Sequence, residues 1–272
     1  MAHLDDKVSH RSYKLFALFM AIVTALLVFL ETRIGLSALA VVFLMFSCLY
    51  FARPKVLSAS PYWKTILKEK RFFWRFLASL IFLSISFFIN YILAIYVENT
   101  SGPALPDVVL DNLAPIDFGP LAVYLLRIIT AALLYFALLI WPTKALFGLK
   151  AVSLLLVVRS ITMCLTHLGL PAGRIPDEIE LHHVEFINVT KDLFFSGHVA
   201  LSFMGYLLLR ERVVGLMMLL GSLVLSFIVL AMHLHYSIDV LAAFFFTYGV
   251  YKITAYLFKK DYELYLTSPS PT

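Results

Sequence analysis

From residue 13 onward the chain runs as long apolar stretches separated by short polar breaks. A membrane-spanning helix needs about 20 mostly apolar residues. Eight stretches reach or approach that length: 13–30, 34–52, 73–96, 121–141, 145–167, 194–210, 213–232 and 236–257. The pattern predicts an all-α, polytopic membrane helix bundle of about eight spans. The first two stretches are joined only by Glu31, Thr32 and Arg33, whose charges are costly at mid-bilayer, so a tight hairpin is expected there. The run 15–30 follows Lys7, Arg11 and Lys14, and "SALA" (37–40) imitates a signal-peptide cleavage site. Cleavage at Ala40 would leave 41–52, too short to span, so both helices are expected to be retained.

This organises the chain as an N-terminal transmembrane hairpin (1–52), a basic loop (53–72), a six-span core (73–260) and a tail (261–272) ending in a disordered "SPSPT". No internal repeat or second domain is visible. Composition agrees: 61% of the 272 residues are hydrophobic and 14% charged, against roughly 45–50% and 25% in soluble domains. Such an excess does not fit inside one water-soluble core. The net charge of +5 then reads as positively charged cytoplasmic loops, not as a nucleic-acid interface. Loop 53–75 carries Arg53, Lys55, Lys64, Lys68, Lys70, Arg71 and Arg75, whereas 97–120 has no Lys or Arg. Alternating outward from the basic loop places both termini in the cytoplasm and loops 97–120 and 168–193 on the opposite face. Cys48 and Cys164 both sit in apolar runs and read as small hydrophobes; no disulfide framework or metal cluster is visible, and no cofactor is called for.

The polar residues inside the spans change the picture from a scaffold to a candidate site. At about 1.5 Å rise per residue, His198 lies roughly 6 Å inside its stretch, Arg127 roughly 9 Å and Arg159 roughly 12 Å, all from the same end. His235 and Asp239 flank the start of the last stretch at that end. Ionisable residues at membrane depth generally have a partner or a function. Guanidinium groups suit phosphate. His235 and Asp239, four residues apart, share one helical face. Asp239 can hold one ring nitrogen of His235 and leave the other with a free lone pair, which makes a base or a nucleophile. His198 can then serve as proton donor. The plain alternative is that these are satisfied polar groups linking helices. Neither arginine has an acidic partner in its own stretch, which predicts a phosphate partner and an Arg159→Leu variant at least as stable as the parent. Asn90 is expected to join helices. His182 and His183 read as a solvated loop, and the acceptor patterns at Asn99 and Asn188 as chance matches to a glycosylation signal.

"SGHV" (196–199) and "HYSID" (235–239) resemble the paired motifs of the sphingomyelin synthase branch of the lipid phosphatase (PAP2) superfamily. "PALPD" (103–107) is similar to that branch's Pro-Pro-Leu-Pro-Asp motif with Ala104 in place of the second Pro, and "RSITMCLTHLGLP" (159–171) to its Arg- and Thr-containing motif. The four stretches fall in the family's order. The departures are Thr190-Lys191-Asp192 where that branch has Cys-Gly-Asp, and the absence of its cytosolic N-terminal domain. The hydrolase branch fits less well: Phe195 replaces its Pro, and 224–235 contains no Arg. The resemblance implies a six-helix core and a head-group transfer through a phosphohistidine. His198, His235 and Asp239 would be catalytic. Arg159, Arg127, Ser196, Gly197 and Asp192 would bind substrate, with Asp107, Asp111 and Tyr236 facing a cationic head group, and His233 would flank the site. The implied partners are a phospholipid donor and a lipid alcohol acceptor, ceramide or diacylglycerol. A phosphatase or phospholipase C using water as acceptor, and a non-catalytic lipid-binding or transport protein, are the alternatives.

Overall fold

A computed structural model describes residues 69–100, 102–118, 134, 142–176, 190–191, 193–209 and 213–267. Those residues form helices and connecting segments, with no strand among them. The helices are α1 (Lys70–Glu98), α2 (Val108–Asn112), α3 (Pro142–Leu165), α4 (Gly197–Leu209), α5 (Val213–Ala231), α6 (Ser237–Leu257) and α7 (Lys259–Leu266). Four of them, α1, α3, α5 and α6, are long and apolar enough to cross a membrane. The protein is therefore a helical membrane protein. The predicted stretches 13–30 and 34–52, and 121–141 apart from Leu134, lie outside the described residues.

Five predicted stretches become helices, with one difference of substance. Among the described residues the stretch 194–210 yields thirteen helical residues, about 20 Å of rise, against a hydrocarbon core about 30 Å thick. Phe194, Phe195 and Ser196 are non-helical, and Phe195 O and Ser196 N are used elsewhere, as shown below.

Burial explains the arrangement. α1 buries a narrow stripe, Phe72, Ser79, Ser86, Ala94 and Val97, against α3 and exposes Ile81, Ile85, Phe88 and Ile92 elsewhere. An all-round apolar helix with one packed seam is stable in lipid, where no water penalises the outer face. The buried serines satisfy their hydroxyls on their own helix: Ser79 donates to Arg75 O at 2.8 Å and Ser86 to Phe82 O at 2.8 Å. α3 is central, with 56% of its apolar window buried against 17% for α1, and touches α1, α4, α6 and α7. α4 packs on α5 at Gly205, where a Cβ would come within 2.1 Å of Met218 Cε. The bundle core is Phe147, Leu155, Phe195, Met204, Leu208 and Leu225 with their neighbours.

One end of the bundle is closed by α7. Its Asp261 is buried and ion-pairs with both Arg75 of α1 and Lys150 of α3. Tyr265, one turn on, stacks with Tyr262 and donates to Leu208 O at 2.9 Å, while Lys144 lies 4.4 Å over its ring. Residues 261–266, expected as tail, are thus a packed helix; 268–272 lie outside the described residues.

Candidate active site

The other end gathers the polar residues. α5 ends at Ala231, and His233 then adopts φ 54°, a left-handed conformation that reverses the chain. Glycine usually fills such a position. Here the His233 ring compensates: Nδ1 lies 2.7 Å from Ala172 O and Nε2 2.9 Å from Leu113 O. The turn delivers His235 to the threshold of α6, which starts at Ser237. Asp239, third residue of α6, closes a capping box by accepting the Tyr236 N–H at 3.1 Å. A carboxylate at this position also suits the positive end of the helix dipole.

His235 is buried, and its Nδ1 faces two acceptors, Leu193 O at 3.1 Å and Asp239 Oδ2 at 3.4 Å. Both are hydrogen-bond acceptors only, so Nδ1 carries the hydrogen and the neutral ring keeps its lone pair on Nε2. The spacing foretold the Asp239 contact; the shorter bond, to a backbone carbonyl from a different segment, had no sequence signal. Asp239 is fully buried. Its backbone O accepts from Ser196 N at 3.3 Å, which brings the start of α4 against the start of α6.

Arg159 comes in from α3. It is 6% exposed, its Nε donates to Phe195 O at 3.1 Å, and its Nη1 approaches Asn90 Oδ1 at 3.4 Å. Ser160 also donates to Asn90 Oδ1, at 3.2 Å, so Asn90 does join α1 to α3. Gly197 lies directly under this arginine: a Cβ there would come within 2.8 Å of Arg159 Nε. The helix ends at Leu165, which puts Arg159 six residues, about 9 Å, from its end. His198 is the second residue of α4, in its first turn, and not four residues down a span. It is half-buried, two residues from the Ser196–Asp239 contact. The Ser196 hydroxyl is fully buried with no hydrogen-bond partner among the described residues.

Tyr236 and Asp107 are both held by backbone groups. The Tyr236 hydroxyl donates to Gly169 O at 2.9 Å and accepts from Leu105 N at 3.0 Å, and the residue is 1% exposed. Asp107 caps α2 by accepting from Val109 N at 2.9 Å and Leu110 N at 3.2 Å, and its other oxygen takes Ser237 N at 2.6 Å. Burial pushes the Asp107 pKa up, but these N–H donors, with that of Ser237 the strongest, outweigh it and the net shift is downward. Asp111 is exposed. The segments at 102–107 and 166–173 touch backbone to backbone, with Gly169 N donating to Pro103 O at 2.9 Å. Glycine is required on both sides: a Cβ on Gly102 would lie 2.0 Å from His167 O, and one on Gly169 2.6 Å from Gly102 O.

No family model matches this chain, and no curated protein matches it either. The geometry stands by itself. All four motif-like stretches meet at the N-terminus of α6: 103–107 through Asp107 and Leu105, 159–171 through Gly169, 196–199 through Ser196, and 235–239 itself. A cavity of about 460 Å³ opens beside this junction, lined by Leu105, Asp107, Asp111, His233 and Tyr236 among others, but not by His198, His235 or Arg159. Arg127, Asp192, His182, His183, Asn188 and Cys48 lie outside the described residues. Cys164 is a free thiol packed beside Met163, Ala94 and Val97, the small hydrophobe expected.

Proposed function

We propose that the protein is an integral-membrane head-group transferase of the sphingomyelin synthase-like type. Its substrate is a glycerophospholipid and its acceptor a lipid alcohol such as ceramide or diacylglycerol. One observation carries most of this reading: the imidazole of His235 is fixed at Nδ1 by Leu193 O and Asp239, which leaves Nε2 as the reactive nitrogen. In the first step Nε2 attacks phosphorus, the bond to the diacylglycerol oxygen breaks, and His198 gives that oxygen its proton. In the second, His198 takes the proton of the acceptor hydroxyl, the hydroxyl oxygen bonds to phosphorus, and the phosphorus–nitrogen bond returns its electrons to His235. Asp239 steadies the ring as it becomes cationic, and Arg159, buried beside Gly197, offsets charge on the non-bridging oxygens. Arg127 joins it if its span packs at the depth that the sequence gives it. No step calls for a metal.

The remaining parts of the reading are an eight-span chain with a six-helix core, both termini in the cytoplasm and the histidines on the opposite face. They rest on the basic loop 53–75 against the Lys/Arg-free 97–120. Purified protein in liposomes containing head-group-labelled phosphatidylcholine or phosphatidylethanolamine, with and without ceramide, tests the chemistry. Labelled phosphosphingolipid that disappears in His235→Ala, together with acid-labile label on the wild-type chain, is the expected result. Release of water-soluble phospho-head group instead would make the protein a hydrolase. No product from any lipid mixture would leave the transport reading standing and remove this one.

A further inference from the structure

The proposed nucleophile is aligned by a carbonyl, Leu193 O, that belongs neither to α4, which bears His198, nor to the turn that bears His235. What holds that carbonyl is visible two residues upstream. Glu98, in the last turn of α1, accepts from Thr190 N at 2.7 Å and Lys191 N at 2.9 Å with one carboxylate oxygen, and from the Thr190 hydroxyl at 2.8 Å with the other. Lys191 answers by donating its ammonium to Glu98 O at 3.0 Å and Thr100 O at 2.9 Å. A carboxylate at a helix C-terminus is disfavoured by the helix dipole, and unpaired terminal carbonyls need donors. The lysine resolves both, so the clasp is reciprocal and Glu98 is not there for the sake of its own helix.

From the clasp the chain passes through Leu193, whose O meets His235, to Phe195, whose O meets Arg159, and to Ser196, whose N meets Asp239 O. A short arm is therefore fixed at one end by Glu98 and delivers, within a few residues, a backbone group to each of three proposed active-site residues. The clasp occupies Thr190 and Lys191, two of the positions at which this chain departs from the pattern it resembles.

We infer that Glu98 is a positioning residue: through its grip on Thr190 and Lys191 it sets the arm that orients His235 and Arg159. This rests on the transferase reading for its catalytic consequence, but not for its structural one. Glu98→Ala frees two backbone N–H groups and the arm. Glu98→Gln keeps the grip, since the amide oxygen accepts from both N–H groups and the amide nitrogen donates to the Thr190 hydroxyl.

The test uses the whole protein in nanodiscs and measures the rate at which diethyl pyrocarbonate modifies each histidine, resolved by peptide mass, alongside lipid turnover. His233 is the internal control. It is as buried as His235, at 4% against 5%, and two residues away, but it is held by Ala172 and Leu113. The expected result is a several-fold faster modification of His235 in Glu98→Ala with His233 unchanged. A fall in kcat of about 10–100-fold with KM little altered should accompany it, the scale set by sub-ångström to ångström misplacement of a reacting group. Near-parental behaviour is expected of Glu98→Gln. Lys191→Ala, which loosens the other half of the clasp, should show the same selectivity in weaker form and serves if Glu98→Ala fails to fold. An unchanged His235 rate, a rise shared equally with His233, or Glu98→Gln behaving like Glu98→Ala would overturn the inference. If the wild-type protein turns over no lipid, the transferase reading fails while the modification rates still decide the clasp.

Discussion

Gly197→Ala is the most informative single change, because it adds one methyl and removes nothing. The new Cβ would stand 2.8 Å from Arg159 Nε and 3.2 Å from Cζ, closer than atoms in contact tolerate. The obstacle is the stem of a side chain and not backbone, so the guanidinium is what moves, and the bond it gives up is Nε–H to Phe195 O. A hydrogen bond from a charged donor is worth about 1.5–3 kcal/mol. Alanine regains at most about 0.5–1 kcal/mol over glycine in a helix, and less at the first helical position. The net expectation is a loss of about 1–2 kcal/mol. It is measured as a fall in the thermal or denaturant midpoint in detergent, with the same change made in an Arg159→Ala background. There the three nearest atoms, Nε, Cζ and Cδ, are gone and no other lies closer than 3.4 Å, so Gly197→Ala should be neutral or slightly stabilising. Equal costs in the two backgrounds would show that the strain arises elsewhere and would refute the account of how α3 and α4 meet.

Asp107→Asn keeps one acceptor but turns an amide N–H₂ toward a backbone N–H, and should destabilise by about 1.5–3 kcal/mol. Because the folded-state pKa of Asp107 lies below its ordinary value of 3.8, its stabilising contribution is complete above that value. It is lost as the pH falls through the lower folded value, so the acid limb of stability should be shallower in Asp107→Asn. His233→Gly should be milder than His233→Ala in thermal unfolding, since both lose the contacts to Ala172 and Leu113 but only alanine retains the left-handed strain. Asp261→Ala leaves Arg75 and Lys150 without their carboxylate; Arg75 is 37% exposed and can turn to solvent, so the cost should fall below the roughly 3–5 kcal/mol of a fully buried pair, and protease cleavage near 258–267 should become faster.

The helical pattern was plain in the chain because lipid demands long apolar runs, and the ranges of α1, α3, α5 and α6 follow it within three residues at each end. The His235–Asp239 contact was legible for the same kind of reason: it is a local, one-turn relation. What the sequence concealed is everything that joins segments far apart. Arg159 looked unpaired because its contacts, Phe195 O and Asn90, are 36 and 69 residues away and one of them is backbone. With those bonds in place, Arg159→Leu no longer promises a more stable protein, since the relief from a buried charge is set against a stranded carbonyl. The resemblance marked Tyr236 and Asp107 as facing a head group, and both line the cavity. Their hydrogen bonds to backbone N–H and C=O groups are a separate feature, which no residue type announces. Glu98 could have been suspected only from an oddity, a carboxylate at the unfavourable end of a helix.

The hydroxyl of Tyr236 also fixes a sequence in time. Its two partners, Leu105 and Gly169, lie 131 and 67 residues earlier in the chain, and Ser237 likewise reaches back 130 residues to Asp107. During synthesis those earlier loops leave the ribosome long before the residues that will tie them together. They can meet each other once α3 is in place, through Gly169 N and Pro103 O, but neither is tied to the start of α6 until α4 and α5 have followed. The site is then completed in one event, when the start of the last long helix arrives. A chain terminated just before Tyr236 would hold α1 to α5 and still lack the residues that tie their loops to the start of α6.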